Sequence, residues 1–257
     1  MNWFPQTESG CLVQLPLHRR YIRRAITNEL ENGERISTPD PNSARIEWKL
    51  AYKDLSATEA ATLNTFFLSM RGAFGMFAFA DPTANLLGGS EDLTRPEWQK
   101  GLITLGSAAA GPGGAGACAR LVNPAGGAQQ LSQTVAIPGE YTACFSAWLR
   151  CGTPSPVTLF RGTQSQAVAV GPAWKRVFIT GTIPGEDDAP FGITLEPGQS
   201  VDVWGLQFEA GPYPSQYMHT VDAGGLHERT SFAADELEIT ATGCNLFATE
   251  FTLISRL

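Results

Sequence analysis

Histidine is nearly absent from this sequence: His18, His219 and His227 are the only three in 257 residues. None pairs with another at metal-ligand spacing, so a histidine-based metal centre is not expected. The five cysteines, Cys11, Cys118, Cys144, Cys151 and Cys244, are odd in number and contain no C-x-x-C. That argues against a disulfide framework and a zinc site, and for mostly buried free thiols in a protein folded in a reducing cytosol. Charged residues make up only 17% and the net charge is −7, so a general grip on nucleic acid has no electrostatic basis. The one basic cluster, His18–Arg24, reads as a solvated or interface-facing strand. No apolar run approaches the roughly 20 residues that span a bilayer. The first ten residues, MNWFPQTESG, lack the basic-then-apolar order of a signal peptide, and none is expected. G-x-S-x-G is missing, and nothing singles out a carboxylate pair among the 25 acids. No catalytic residue, cofactor or metal ligand is therefore nominated, and the expectation is a protein that is not an enzyme.

What is present is apolar surface and turns. Hydrophobic residues at 43% suffice for a core, while 27 glycines and 17 prolines favour short strands over helices. In 45–53, RIEWKLAYK, Ile46, Trp48, Leu50 and Tyr52 alternate with Glu47, Lys49 and Lys53, a half-buried strand. The single predicted helix follows. Ser56 and Glu59 form an S-x-x-E capping box. Leu63, Phe66, Phe67 and Met70 make its apolar face, and Gly72 is placed as the left-handed stop. Phe77 and Phe79 mark a further strand that ends at Asp81-Pro82.

After about residue 86 comes a low-complexity stretch, SAAAGPGGAGA, and then short strands predicted at 117–122, 128–137, 140–150, 157–161, 174–183, 191–195 and 200–209. Their number and spacing predict a β-sandwich. Past Tyr217 a second alternation, Leu237, Ile239 and Ala241, leads to another strand, CNLFATEFTLI. Two strands need a partner sheet, and the nearest is the N-terminal segment. The expected fold class is mostly β: a discontinuous host sandwich or barrel over 1–85 and 218–257 with one packed helix, and an inserted jelly-roll over 86–217.

Two motifs match functional patterns only in part. GPGGAG (111–116) matches the dinucleotide fingerprint by letter but lacks a following helix, so it reads as a loop. The acidic run 186–188 reads as a solvated turn without calcium-loop spacing. Trp98, Trp174 and Trp204 are expected in the core, Trp204 because it shares strand parity with Leu206 and Phe208. Trp148 and Arg150 share parity in one strand and emerge on one face. An aromatic beside a polar group is what a sugar ring requires, so Trp148 and Arg150 are the candidate carbohydrate contacts.

The segment EWKLAYKDLSATEAATLNTFFLSMRGAFGMFAFADPTAN resembles the signature region of tailed-phage distal tail and minor tail proteins. That region is a strand, a helix capped L-S/T-x-x-E, an aromatic pair, a glycine, and a strand closing on F-x-D-P. The stretches YTACFSAWLR, AWKRVFITGTI and VDVWGLQFEAGPYPSQY resemble the jelly-roll, carbohydrate-binding-like modules of phage tails. The resemblance implies a structural virion protein: a ring, hexameric in this family, that joins the tail tube to the tip, hub or baseplate. DNA would pass through its lumen, and the modules would project outward toward host-surface glycans. It implies the virion tail as the location after synthesis in the bacterial cytoplasm, with no membrane or sequence-specific nucleic-acid partner. The alternatives are a carbohydrate-binding tail adhesin and, behind it, a glycan hydrolase. The N-terminal WFPQTESGCLVQLPL matches no part of this pattern.

Overall fold

The computed structural model describes residues 1–40, 42–108, 110–114, 116 and 118–256. Its strands and helix are, in chain order, β1 (His18–Ile22), β2 (Ala25–Glu29), β3 (Arg35–Pro39), β4 (Arg45–Leu55), α1 (Ala57–Ser69) and β5 (Phe77–Ala80). There follow β6 (Thr104–Ala108), β7 (Cys118–Val122), β8 (Gln129–Thr134), β9 (Ala143–Arg150), β10 (Ser155–Arg161), β11 (Gln164–Val170) and β12 (Lys175–Gly181). Last come β13 (Pro190–Leu195), β14 (Ser200–Ala210), β15 (Leu226–Phe232), β16 (Ile239–Gly243) and β17 (Leu246–Arg256). The protein is mostly β, built from antiparallel sheets with one α-helix. The chain divides into two compact units. The first comprises Met1–Glu8, Leu12–Phe79 and His227–Leu257, the second Ser9–Cys11 and Ala80–Leu226.

In the first unit the sheet runs β1-β4-β17-β15-β5, with β16 also paired to β17. Ile46, Trp48, Leu50 and Tyr52 of β4 are buried, as the alternation predicts. Leu55 is buried too, out of parity. Asp54 adopts a left-handed φ of 55° and the register against β17 shifts there, so the strand gains a residue and turns Leu55 inward.

Both halves of the α1 capping box form: Ser56 Oγ accepts from Glu59 N at 3.1 Å and Glu59 Oε2 accepts from Ser56 N at 2.8 Å. Leu63, Phe67 and Met70 are buried and Phe66 is half-buried. Gly72 is left-handed, but Arg71 before it is left-handed as well, so the stop begins one residue early. A Cβ on Gly72 would stand 2.7 Å from Asp235 Oδ1, the oxygen that accepts from Ala73 N.

The N-terminal segment that matched no pattern supplies the centre of this core. Phe4 is fully buried, with the rings of Phe66, Phe77, Phe79 and Phe251 at 5.6–6.1 Å. Tyr52 donates its hydroxyl to the Leu12 carbonyl at 2.6 Å. In contrast, β2 and β3 form a separate two-stranded ribbon whose strand residues are all exposed. Ile26 and Ile36 lie on one of its sides.

The second unit is a jelly-roll sandwich of a four-stranded sheet, β11-β10-β13-β8, and a five-stranded sheet, β12-β9-β14-β7-β6. Phe145, Phe191 and Phe208 meet in its core, the last two stacked at 4.1 Å. Arg161 is buried beside them and donates to the carbonyls of Tyr141, Gly181 and Pro138. Burial pulls its pKa down to about 10.

The ends of this unit lie side by side. Asp81 N donates to Gly225 O at 2.8 Å and Gly225 N to Asn85 O at 2.9 Å. Asn85, fully buried, ties this seam to the sandwich: its Nδ2 donates to Leu206 O and Met218 O, and its Oδ1 accepts from Leu87 N and Phe208 N.

Candidate functional site

The face of the five-stranded sheet that points away from the sandwich core carries the candidate contacts. Along β9, Ser146, Trp148 and Arg150 point to this face while Phe145, Ala147 and Leu149 are buried in the core. Across the register Arg150 opposes Asp202, Trp148 opposes both Trp204 and Arg176, and Ser146 opposes Gln207.

Trp204 is therefore not in the core. Its parity with Leu206 and Phe208 is broken at Gly205, where φ is +63° and the register between β14 and β9 slips. This β-bulge sends Trp204 outward while Leu206 and Phe208 point in. The positive φ favours glycine there, and a Cβ would stand tight against Trp148 Cδ1, at 3.2 Å. Trp98 is buried. Trp174, half-buried, is a surface ring rather than the core residue expected, because it precedes β12 and packs under Arg150, whose guanidinium carbon is 4.6 Å from its centroid.

The middle of the face is covered by the chain itself. Beyond β14, residues 211–218 fold back across it. Gln207 accepts from Met218 N at 2.7 Å and donates to Ser215 Oγ and Gln216 O. Glu209 accepts from the Ser215 backbone N–H and hydroxyl, and Arg176 donates to Ser215 O. Tyr217 sets its ring 4.7 Å from Trp204 and hydrogen bonds to Ser90 and Glu91, and burial pushes its hydroxyl pKa up. Trp148 sits half-buried beside this strap, so it offers an edge rather than an open platform.

The structure thus separates the two candidate contacts. Arg150 lines an open cleft of about 790 Å³ at the end of the face and Trp148 does not. The cleft lies between the 151–156 and 196–200 segments, with Pro156, Pro172 and Pro197 as walls. At its base Asp202, buried, receives Arg120 Nε at 2.7 Å and Nη2 at 3.1 Å, and Arg150 Nη2 at 2.7 Å and Nε at 3.2 Å. Burial alone would raise the Asp202 pKa. Hydrogen bonds from Arg120 and Arg150, with their charges, outweigh it and hold the carboxyl below its ordinary value. The same bond raises the Arg120 pKa.

The sequence reading missed this cleft because Arg120, Arg150 and Asp202 sit on three separate strands. The signal in the sequence is a charged residue on each of three strands, Arg120 in CARLV, Arg150 in ACFSAWLR and Asp202 in SVDVWGLQFEA, and it does not say that those strands are neighbours. Among the described residues no group of His, Cys, Asp and Glu is placed to hold a metal ion. The described part of GPGGAG contains a short 3₁₀ turn at Pro112–Gly114, and residue 115 of that motif, like 117 at the start of the strand predicted at 117–122, lies outside the described residues.

No family model matches the chain. No curated protein matches it either. Solved structures resemble about half of it. The enzymatically active domain of tailspike protein 4 from bacteriophage CBA120 is 16% identical over 50% of this chain and 22% of that one, with a TM-score of 0.38. The CBM22-1 xylan-binding domain of Paenibacillus barcinonensis Xyn10C is 13% identical, covering 51% of this chain and 96% of that domain, with a TM-score of 0.41. TmCBM61, solved with β-1,4-galactotriose, is 15% identical over 49% and 98%, with a TM-score of 0.38.

Proposed function

We propose that this is a structural protein of a phage tail, a distal-tail-like adaptor in which the first unit assembles into a ring and the second is a carried saccharide-binding module. The observation that carries the assembly reading is the open edge of the first unit. Among the described residues β1 pairs with β4 alone, four of its five residues are exposed, and the β2–β3 ribbon beside it in sequence exposes every strand residue. A two-stranded ribbon is marginal in water, and an open edge pairs with another chain. A closed ring of like subunits satisfies both. The resemblance of 47–85 to the distal tail signature adds the context: a hexamer between tail tube and tip, hub or baseplate, located in the virion tail, with DNA passing through the lumen. On this reading the protein is not an enzyme and needs no cofactor.

The cleft on the second unit favours a second reading, a tail adhesin that recognises a host-surface glycan without forming a ring. Negative-stain electron microscopy of the full chain separates the two. Closed rings with a central channel are the expected result, and a monomer or compact trimer that never encloses a channel overturns the adaptor. A glycan array probed with the full chain tests the module, and a blank array overturns saccharide binding.

A further inference from the structure

We propose that the cleft at Arg120, Arg150 and Asp202 binds an acidic saccharide, with a sugar carboxylate seated on the two guanidinium groups; this rests on the reading of the second unit as a saccharide-binding module. Hydrogen-bond donors are in surplus at the base of the cleft. Both oxygens of Asp202 are taken by Arg120 and Arg150 through their Nε and Nη2 atoms. Gln199 is also spent, its Oε1 accepting from Glu196 N and its Nε2 donating to Ser155 Oγ and Pro156 O. The Nη1 groups of both arginines make no hydrogen bond among the described residues, and they, with the second N–H of each Nη2, are the donors left over. A neutral sugar hydroxyl gives and receives hydrogen bonds, whereas this base mainly gives. An anionic oxygen pair fits that surplus, and a planar carboxylate fits the guanidinium fork.

The site is also held before any ligand arrives. Asp202 fixes both guanidinium groups from below, and Trp174 supports the plane of Arg150. Side chains locked in place lose little freedom on binding. The cleft volume lies in the range that small ligands occupy, and three prolines stiffen its walls. Of the described residues that line the cleft two are carboxylates, and Glu196, exposed at the rim, is not paired with an arginine as Asp202 is. It is a brake on affinity, and its removal is a diagnostic.

The test is calorimetric titration of the full chain with uronate-bearing oligosaccharides, each paired with its carboxyl-reduced neutral counterpart, and with a sugar phosphate. Uronates are expected to bind about tenfold or more tightly than their neutral partners, and more weakly as salt rises. Arg120→Gln is expected to abolish that preference, Arg120→Lys to restore it in part, and Glu196→Gln to strengthen it. Arg120 is half-exposed, so an unchanged melting temperature will show that the fold is intact. Equal binding of acidic and neutral partners, a preference that survives Arg120→Gln and Arg150→Gln, or tighter binding of the sugar phosphate overturns the carboxylate assignment while saccharide binding stands. No binding to any of these saccharides or to the array overturns both.

Discussion

Asp202 turns one ionisation into a pH-dependent property of the cleft. Its folded pKa is depressed, so its stabilising contribution is full above the unfolded value near 3.8 and is lost as pH falls through the lower folded value. Asp202→Asn is expected to cost about 1–3 kcal/mol, since it weakens charge-assisted hydrogen bonds to two partly exposed arginines. Urea titrations should show that difference unchanged between pH 7 and pH 5 and gone well below pH 3.8. A gap that closes already at pH 6 would mean another group titrates there. The cysteines make a second residue-scale case. Burial pushes the Cys144 thiol up to about 12, and burial raises Cys118 and Cys151 as well, while Cys244 is exposed. Alkylation requires thiolate. Iodoacetamide at pH 8 should therefore modify Cys244 well before Cys118, Cys144 or Cys151, as read by mass spectrometry of the intact and digested protein.

At the scale of elements, α1 divides its aromatic pair unequally. Phe67 is buried against Phe232, whereas Phe66 keeps some exposure while touching Phe4, Phe77 and Phe232. Phe67→Ala is expected to cost about 3–5 kcal/mol and Phe66→Ala less, about 2–3 kcal/mol. Ser56→Ala removes one cap, at about 1 kcal/mol. Equilibrium denaturation ranks the three, and Phe66→Ala as the most damaging would contradict the packing described. These elements were legible because each carries a complete local signal: period-two alternation in β4, and a cap followed by a 3.6-residue stripe in α1. Other elements lack such a signal. β1 is legible only through its basic cluster, β2 and β3 are exposed and polar with no alternation to mark them, and β6 begins before a glycine-rich stretch that hides it. Parity places Trp204 on the inner face because parity counts residues, and the bulge at Gly205 adds one and turns the ring outward. Phe4 was unreadable for the opposite reason. It is a single aromatic in an irregular segment, and only the tertiary fold brings it among four rings.

For the whole molecule, the chain leaves the first unit after Phe79 and returns at His227, yet β5 and β15, which flank this excursion, are neighbours in one sheet. The ends of the second unit are likewise hydrogen bonded to each other through Asp81 and Gly225. An excursion that begins and ends at one place adds little loop-closure cost to its host. Asn85 ties the seam to the sandwich, its buried amide bonding locally to Leu87 N and across to Leu206 O, Phe208 N and Met218 O. Asn85→Ala is expected to destabilise the second unit by about 2–4 kcal/mol, because it leaves buried backbone groups unpaired. Replacing residues 81–225 by a short Gly/Ser link between Ala80 and Leu226 should leave a first unit that stays soluble, melts cooperatively and retains its oligomeric state by light scattering. The segment Ser9–Cys11, which groups with the second unit, should become accessible to protease in that shortened chain. Insoluble or non-cooperative product would mean that the two stretches of the first unit cannot hold their shared sheet without the module, and the description of a carried domain would fall with it.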